Sequence, residues 1–217
     1  MSKIIDTDTL INFYKRAYFP MAESADSEEI KFYKPKIRFI IPIDGFHCPK
    51  KLLIDFKKTK YNFRVNSNFH EVLNNCKKVK RKENNTWINN VIINTFNELH
   101  RIGLSHSIEC YEENKLIGGL YGVHIGSCFF GESMFSLKTN TSKFCLLYLL
   151  AILKKNSFTL LDSQFFNPHL IQFGAYEISS QSYEEKLKYG LQIKSNFNDI
   201  NNFQESLSLI QSTNQRS

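Results

Sequence analysis

The sequence predicts an α+β protein, with one central, mostly antiparallel sheet flanked by helices and a small N-terminal domain ahead of it. Three observations carry that prediction. Three strand-like runs, HSIECYE (106–112), KLIGGLYGVHI (115–125) and CFFGESMF (128–135), follow one another across the short turns EEN and GS, as in a meander. Helical patterns stand on both sides of them, over 86–103 and 142–155. A further apolar strand, SFTLLDSQFF (157–166), follows the second helix.

Taken in order, the chain opens with a helix over Thr9–Ala17, whose apolar positions Leu10, Phe13, Tyr14 and Ala17 recur at helical spacing. Asp8 or Thr7 is its expected cap and Pro20 its stop. AESADSEE (22–29) reads as an acidic loop, and KIRFIIPI (36–43) as a strand with Pro42 near its end. The turn DGF (44–46) marks a boundary. It separates a small N-terminal domain, residues 1–45, from a main domain, 46–194. The main domain begins with a helix, CPKKLLIDFKK (48–58), a strand, YNFRVN (61–66), and a second helix, NFHEVLNNCKK (68–78), capped by Asn68 or Ser67. The helix over 86–103 buries Val91, Ile92, Thr95, Phe96 and Leu99 and stops at Gly103. Thr141 or Asn140 caps the helix over 142–155. Short helices are expected after Pro168 and near 183–189. Residues 195–217 are rich in Asn, Gln and Ser and are expected to form a weakly ordered polar tail.

Bulk properties narrow the function classes. The chain of 217 residues fits one large domain, or one with a small appendage. No run approaches the ~18 consecutive apolar residues of a membrane span. The start, MSKIIDTDTL, lacks the layout of a signal peptide. Five cysteines, odd in number and without a CxxC pair, point to reduced thiols in a cytoplasmic protein. Six histidines form no HExxH motif, which argues against zinc. The net charge is +7 and unevenly spread: residues 50–82 hold eleven Lys or Arg against only Asp55 and Glu71. Such a region is either the footprint of a polyanion or a solvated lysine face.

A few residues stand out as chemistry. Glu132 lies inside an apolar, aromatic stretch, where an ionised carboxylate is costly without a partner. By strand periodicity Glu132 and Met134 share a face, and so do Asp162 and Gln164, with Ser163 opposite. The plain alternative pairs Glu132 with a buried lysine such as Lys143 and makes Asp162 a turn cap. Three glycines in GGLYG (118–122) signal close approach of a ligand or a neighbouring backbone, or a bulge. Trp87, the one tryptophan, either stacks on a base or packs at a seam. His100, His106 and His169 have no paired nucleophile motif.

The order of elements resembles GNAT-like (acetyltransferase-like) folds. The motifs resemble something narrower. FPMAES (19–24), GFHCPKKL (45–52), TWIN (86–89), LHRIGLSHSIE (99–109), LIGGLYGVHIG (116–126), FFGESMFS (129–136), TSK (141–143), LLDSQFFNPHL (160–170) and FGAYEI (173–178) occur in that order. Together they resemble the bacterial leucyl/phenylalanyl-tRNA–protein transferases, up to about Leu187. Four departures stand beside the likeness. The family's Gly-Gly-Asp-Leu segment does not occur ahead of the first helix, and the N-terminal domain is expected to be shorter than the family's. Met21 stands where many members have tryptophan, FYKP (32–35) replaces a WxxP segment, and EISS (177–180) replaces EIPR.

The resemblance implies transfer of Leu, Phe or sometimes Met from aminoacyl-tRNA to the N-terminal amine of proteins starting with Arg or Lys, which marks them for degradation. The donor ester is already activated, so no cofactor, ATP or metal is called for, and the enzyme is expected to act as a monomer. It implies Gln164, Asp162 and Glu132 as the catalytic group. Gln164 would hold the amine, Asp162 would accept from the Gln164 side-chain amide, and Glu132 would pair with the acceptor's Arg or Lys. Met134, Leu120, Phe129, Leu146 and Leu149 would form the pocket for the donor side chain. Trp87 would seat the terminal adenosine, and Lys50, Lys51, Lys57, Lys58, Lys80, Arg81 and Lys82 would hold tRNA phosphates. A backbone N–H near Gly118–Gly122 is a candidate oxyanion donor. The rival reading is a CoA-dependent N-acyltransferase, which needs an anion-cradling turn that NTSK (140–143) does not offer. A non-catalytic RNA-binding module accounts for the charge but not for the carboxylates.

Overall fold

The computed structural model describes residues 3–79 and 86–214. Helix α1 (Thr7–Lys15) starts two residues earlier than its periodicity suggests, because Asp6 accepts a hydrogen bond from the Thr9 N–H and caps it. It stops before Pro20, where Ala17 turns into the left-handed region (φ 69°). Strands β1 (Phe19–Ala22) and β2 (Ile30–Tyr33) form a separate antiparallel hairpin that the acidic, loop-like composition of 22–29 conceals.

The remaining strands make one sheet. In chain order they are β3 (Ile37–Ile41), β4 (Asn62–Val65), β5 (Ser105–Glu112), β6 (Lys115–Ile125), β7 (Cys128–Ser136), β8 (Leu160–Asp162) and β9 (Tyr176–Ser179). Their spatial order is β4-β5-β6-β7-β8-β3-β9. Every neighbouring pair is antiparallel except β7–β8, which is parallel. Strand β3, which the sequence assigns to the small N-terminal domain, lies inside this sheet between β8 and β9. The expected strand over 157–166 shrinks to three residues, because the chain leaves extended geometry after Asp162.

Helices cover both faces. One layer holds α2 (Lys50–Lys58), α5 (Thr141–Lys155) and α7 (Phe203–Asn214), with Leu52, Phe56, Phe144, Leu149, Leu207 and Ile210 in a common core. The other holds α1, α3 (Phe69–Lys78), α4 (Asn90–Arg101) and α6 (Ser180–Gln192), whose Tyr14, Val72, Phe96 and Tyr183 meet beneath the sheet. Helix α5 is buried along nearly its whole length, as its unbroken apolar run foretells. Helix α7 is the clear correction. The polar tail forms a helix docked on α5: Lys155 pairs with Glu205 at 3.1 Å, and Phe203 stacks on Phe63 at 5.7 Å. Its few apolar residues fall on one face, so they contribute burial that average composition hides. The glycines of β6 serve close packing: a Cβ on Gly118 would come within 2.5 Å of Thr141.

Candidate active site

The site forms where the sheet splits. Strands β7 and β8 pair in parallel from Cys128↔Leu160 to Phe130↔Asp162 and then separate. Beyond that point β7 carries an irregularity. Tyr121 faces Ser133 and Gly122 faces Gly131, so Glu132 is the extra residue of a β-bulge. The bulge reverses the alternation of β7. Phe129 and Met134, of opposite parity, both belong to the α5 side, while Phe130 and Phe135 both belong to the α1 side. Simple periodicity, which puts Glu132 and Met134 on one face, fails here for that reason.

Glu132 turns toward α1. Its Oε1 accepts from the Tyr14 hydroxyl at 2.8 Å and from the Gln164 side-chain amide at 2.8 Å. Among the described residues no hydrogen bond reaches Oε2, although that atom is buried. Burial pushes the Glu132 carboxyl up to about 8, against the opposing pull of its Tyr14 hydrogen bond. Burial and the neighbouring Glu132 carboxylate also hold the Tyr14 hydroxyl well above the usual tyrosine range. Lys143 is not its partner; it lines an open groove of about 770 Å³ beside the site.

Asp162 is fully buried and faces Arg38, itself 1% exposed. The Arg38 Nε lies 3.0 Å from Oδ1, and Nη2 lies 2.6 Å from Oδ2. Burial alone would lower Arg38, but the Asp162 charge and hydrogen bonds outweigh it and raise the guanidinium above its usual value. The Tyr183 hydroxyl donates to Asp162 Oδ2 at 2.7 Å. The expected link from Asp162 to the Gln164 side chain is absent; Asp162 Oδ1 accepts the Gln164 backbone N–H at 2.8 Å instead. Gln164 is no longer in a strand. It sits in the left-handed region (φ 67°), uncommon for a side-chain-bearing residue, and its amide is delivered to Glu132. Ser163, rather than Gln164, therefore reaches the cavity wall.

That cavity measures about 290 Å³ and is lined from both core layers. Leu120, Met134, Leu146 and Leu149 supply apolar wall, and Glu132 and Trp87 border it. Phe129 does not line it. It lies where β7 and β8 are still paired, fully buried and stacked on Phe197 at 5.4 Å. Trp87 is in the loop before α4, half-buried. Lys50, Lys51, Lys57 and Lys58 are exposed on α2. Lys80, Arg81 and Lys82 fall outside the described residues. No group of three His, Cys, Asp or Glu able to hold a metal ion occurs among the described residues. Sequence reasoning missed Tyr14, Arg38 and Tyr183. Tyr14 and Tyr183 read as core aromatics, and the only signal from Arg38 is a lone cation inside the apolar run IRFII.

A sequence model described as leucyl/phenylalanyl-tRNA protein transferase matches residues 40–188. A leucyl/phenylalanyl-tRNA–protein transferase of Hyphomonas neptunium is 42% identical over 197 residues, covering 91% of this chain and 76% of its own. The chain belongs to the leucyl/phenylalanyl-tRNA–protein transferase family. Another transferase of that name, from Paramagnetospirillum magneticum, is 41% identical over 183 residues, 84% of this chain and 88% of its own. The matched span of this transferase includes Glu132, Asp162 and Gln164. Among solved structures, a functionally unknown conserved protein from Staphylococcus epidermidis superposes with a TM-score of 0.43 at 9% identity, over 82% of this chain and 66% of its own.

Proposed function

We propose that this transferase moves Leu or Phe, and sometimes Met, from aminoacyl-tRNA to the N-terminal amine of proteins beginning with Arg or Lys, so marking them for degradation. The reaction is aminolysis: the amine nitrogen bonds to the ester carbonyl carbon, the bond to the ribose oxygen breaks, and the amine proton ends on that oxygen. Family membership supports the donor class. The observation that carries the acceptor class is the held but half-used carboxyl of Glu132, a residue bordering the cavity, with Oε1 gripped by Tyr14 and Gln164 and no hydrogen bond to Oε2 among the described residues. A guanidinium or ammonium of the acceptor supplies the missing partner, by a charge-assisted hydrogen bond.

The apolar wall of Leu120, Met134, Leu146 and Leu149 suits a donor side chain unbranched at Cβ, and the thioether of Met134 adapts to more than one shape. Without a cation nearby burial keeps Glu132 protonated; a bound acceptor cation releases that proton, and the ionised carboxylate is then acceptor-only and turns the Gln164 amide nitrogen toward itself. The Gln164 side-chain oxygen is then turned away from Glu132, and we assign it to the attacking amine. Holding two reactants in this way contributes about 7–11 kcal/mol to lowering the barrier. Trp87 at the cavity border supports a place for the terminal adenosine, and the exposed lysines of α2 support phosphate contacts. The parting of parallel β7 and β8 supports a GNAT-like description of the sheet.

The CoA-dependent alternative gains nothing from the start of α5. Its Ser142 N–H is taken by Ser136 Oγ at 2.9 Å and its Thr141 N–H by the Lys138 carbonyl at 3.3 Å, leaving little to cradle a diphosphate. The decisive assay supplies Leu-tRNA labelled in the amino acid and two peptides, one starting with Arg and one with Ala. Label is expected on the first at least tenfold faster. Acyl transfer from acetyl-CoA with none from charged tRNA rejects the proposal.

A further inference from the structure

We infer that Arg38 is a positioning residue for the transfer reaction, fixing both groups that grip Glu132. It rests on the proposed reading of the cleft, but it is carried by different contacts. Two hands hold Glu132 Oε1: the Tyr14 hydroxyl and the Gln164 amide. They come from opposite ends of the chain, and a single guanidinium reaches the base of each.

On the Gln164 side, Arg38 binds both oxygens of Asp162, at 3.0 Å (Nε to Oδ1) and 2.6 Å (Nη2 to Oδ2). Asp162 Oδ1 in turn accepts the Gln164 backbone N–H. The residue after Arg38 completes the hold, since the Phe39 N–H donates to the Gln164 carbonyl at 3.1 Å. Gln164 needs such restraint, because a left-handed backbone (φ 67°) is uphill for a residue with a Cβ. On the Tyr14 side, Arg38 Nη1 donates to the Ala17 carbonyl at 3.0 Å. Ala17 is the left-handed residue that ends the first helix, so this bond anchors the helix end that carries Tyr14. The guanidinium also lies over the rings of Phe19, at 4.6 Å, and Tyr183, at 4.4 Å. These contacts define its plane, and a planar fork can serve Asp162 and Ala17 together.

An ammonium cannot. A lysine at this position keeps the charge, and so keeps Asp162 paired, but as a point donor it cannot span both oxygens and the Ala17 carbonyl. A consequence for Asp162 follows. With Arg38 and Tyr183 on one oxygen and Arg38 and a backbone N–H on the other, it serves as a strut for Gln164 and takes no proton from the amine.

The test uses the full chain with three variants. In Arg38→Lys, amide hydrogen exchange at Gln164 is expected to quicken about tenfold or more, while the β6 amides keep their protection. Unchanged exchange at Gln164 overturns the inference, whatever the enzyme's substrate proves to be. In the transfer assay Arg38→Lys is expected to lower kcat about tenfold with KM for aminoacyl-tRNA within about twofold of the parent. In a Tyr14→Phe/Gln164→Ala background the same change is expected to cost no more than about twofold. An equal factor in both backgrounds shows that Arg38 does not act through these hands, and the inference fails. Should Arg38→Lys fold poorly, Arg38→Met/Asp162→Leu replaces the buried ion pair by apolar groups, an exchange that commonly preserves stability. That variant is expected to melt close to the parent yet transfer slowly, and transfer at the parent rate overturns the inference. A parent protein inactive with charged tRNA rejects the proposed function instead, and the exchange measurement still decides the role of Arg38.

Discussion

At Glu132 the fold accepts a cost in stability. The folded protein holds its proton up to about pH 8, whereas an ordinary carboxyl releases it near 4.5. Between those values the folded state binds more protons than the unfolded chain, so stability falls as pH rises through that window. Glu132→Gln removes the penalty and still offers Tyr14 and Gln164 an acceptor oxygen. We expect this variant to be more stable than the parent at pH 8, on the order of 2–4 kcal/mol, and no more stable at pH 4, where both forms are neutral. Thermal melts at the two pH values check this, and a gain of equal size at both refutes it. The same variant is expected to lose most of its preference for Arg-starting over Ala-starting peptides. Much of this residue was legible in advance. A carboxylate in an apolar strand announces itself, and so does the pair around Ser163. Its partners were not legible, because Tyr14 lies 118 positions away and repeats with the apolar stripe of its helix. Nor was the bulge, which leaves no mark in a pattern read two residues at a time.

At the scale of elements, local features were readable and distant ones were not. The meander of β5, β6 and β7 follows from alternation and short turns, and the observed strands match it closely. The insertion of β3 between β8 and β9 joins segments more than a hundred residues apart, and no window of sequence contains that information. Helix α7 was hidden for another reason: Asn, Gln and Ser dominate its average, while Leu207 and Ile210, with Phe203 and Leu209 packed beside them, carry its apolar face into the core. Ile210→Ala is therefore expected to cost about 2–4 kcal/mol in denaturant unfolding. It should leave the Arg/Ala acceptor ratio unchanged, since α7 does not border the cavity. A loss below about 0.5 kcal/mol would show that α7 is only loosely docked.

Over the whole molecule, the lysine-rich helix α2 contributes no wall to the cavity. The lysines of α2 are exposed, on the same side of the sheet as α5, with Phe56 of α2 5.4 Å from Phe144. Affinity for tRNA and choice of amino acid should then separate. Changing Lys57 and Lys58 together to Glu is expected to weaken tRNA binding strongly at low salt and to flatten the slope of log affinity against log salt by about 2 or more. Discrimination between Leu-tRNA and Val-tRNA should not move. Filter binding over a salt series, beside transfer rates for the two charged tRNAs, measures both. An unaltered salt slope would remove α2 from the tRNA surface.

The ring of contacts around Arg38 draws on residues 14, 17, 38, 162, 164 and 183, from the first helix to one of the last. A ribosome making this protein therefore releases Tyr14 and Arg38 into solution long before Asp162 and Tyr183 exist. Until they emerge, an arginine destined for burial has no counter-ion and the gap between strands has no far wall. Nascent chains should stay inert toward charged tRNA, however abundant it is around the ribosome, and become competent only when the region of α6 has been translated.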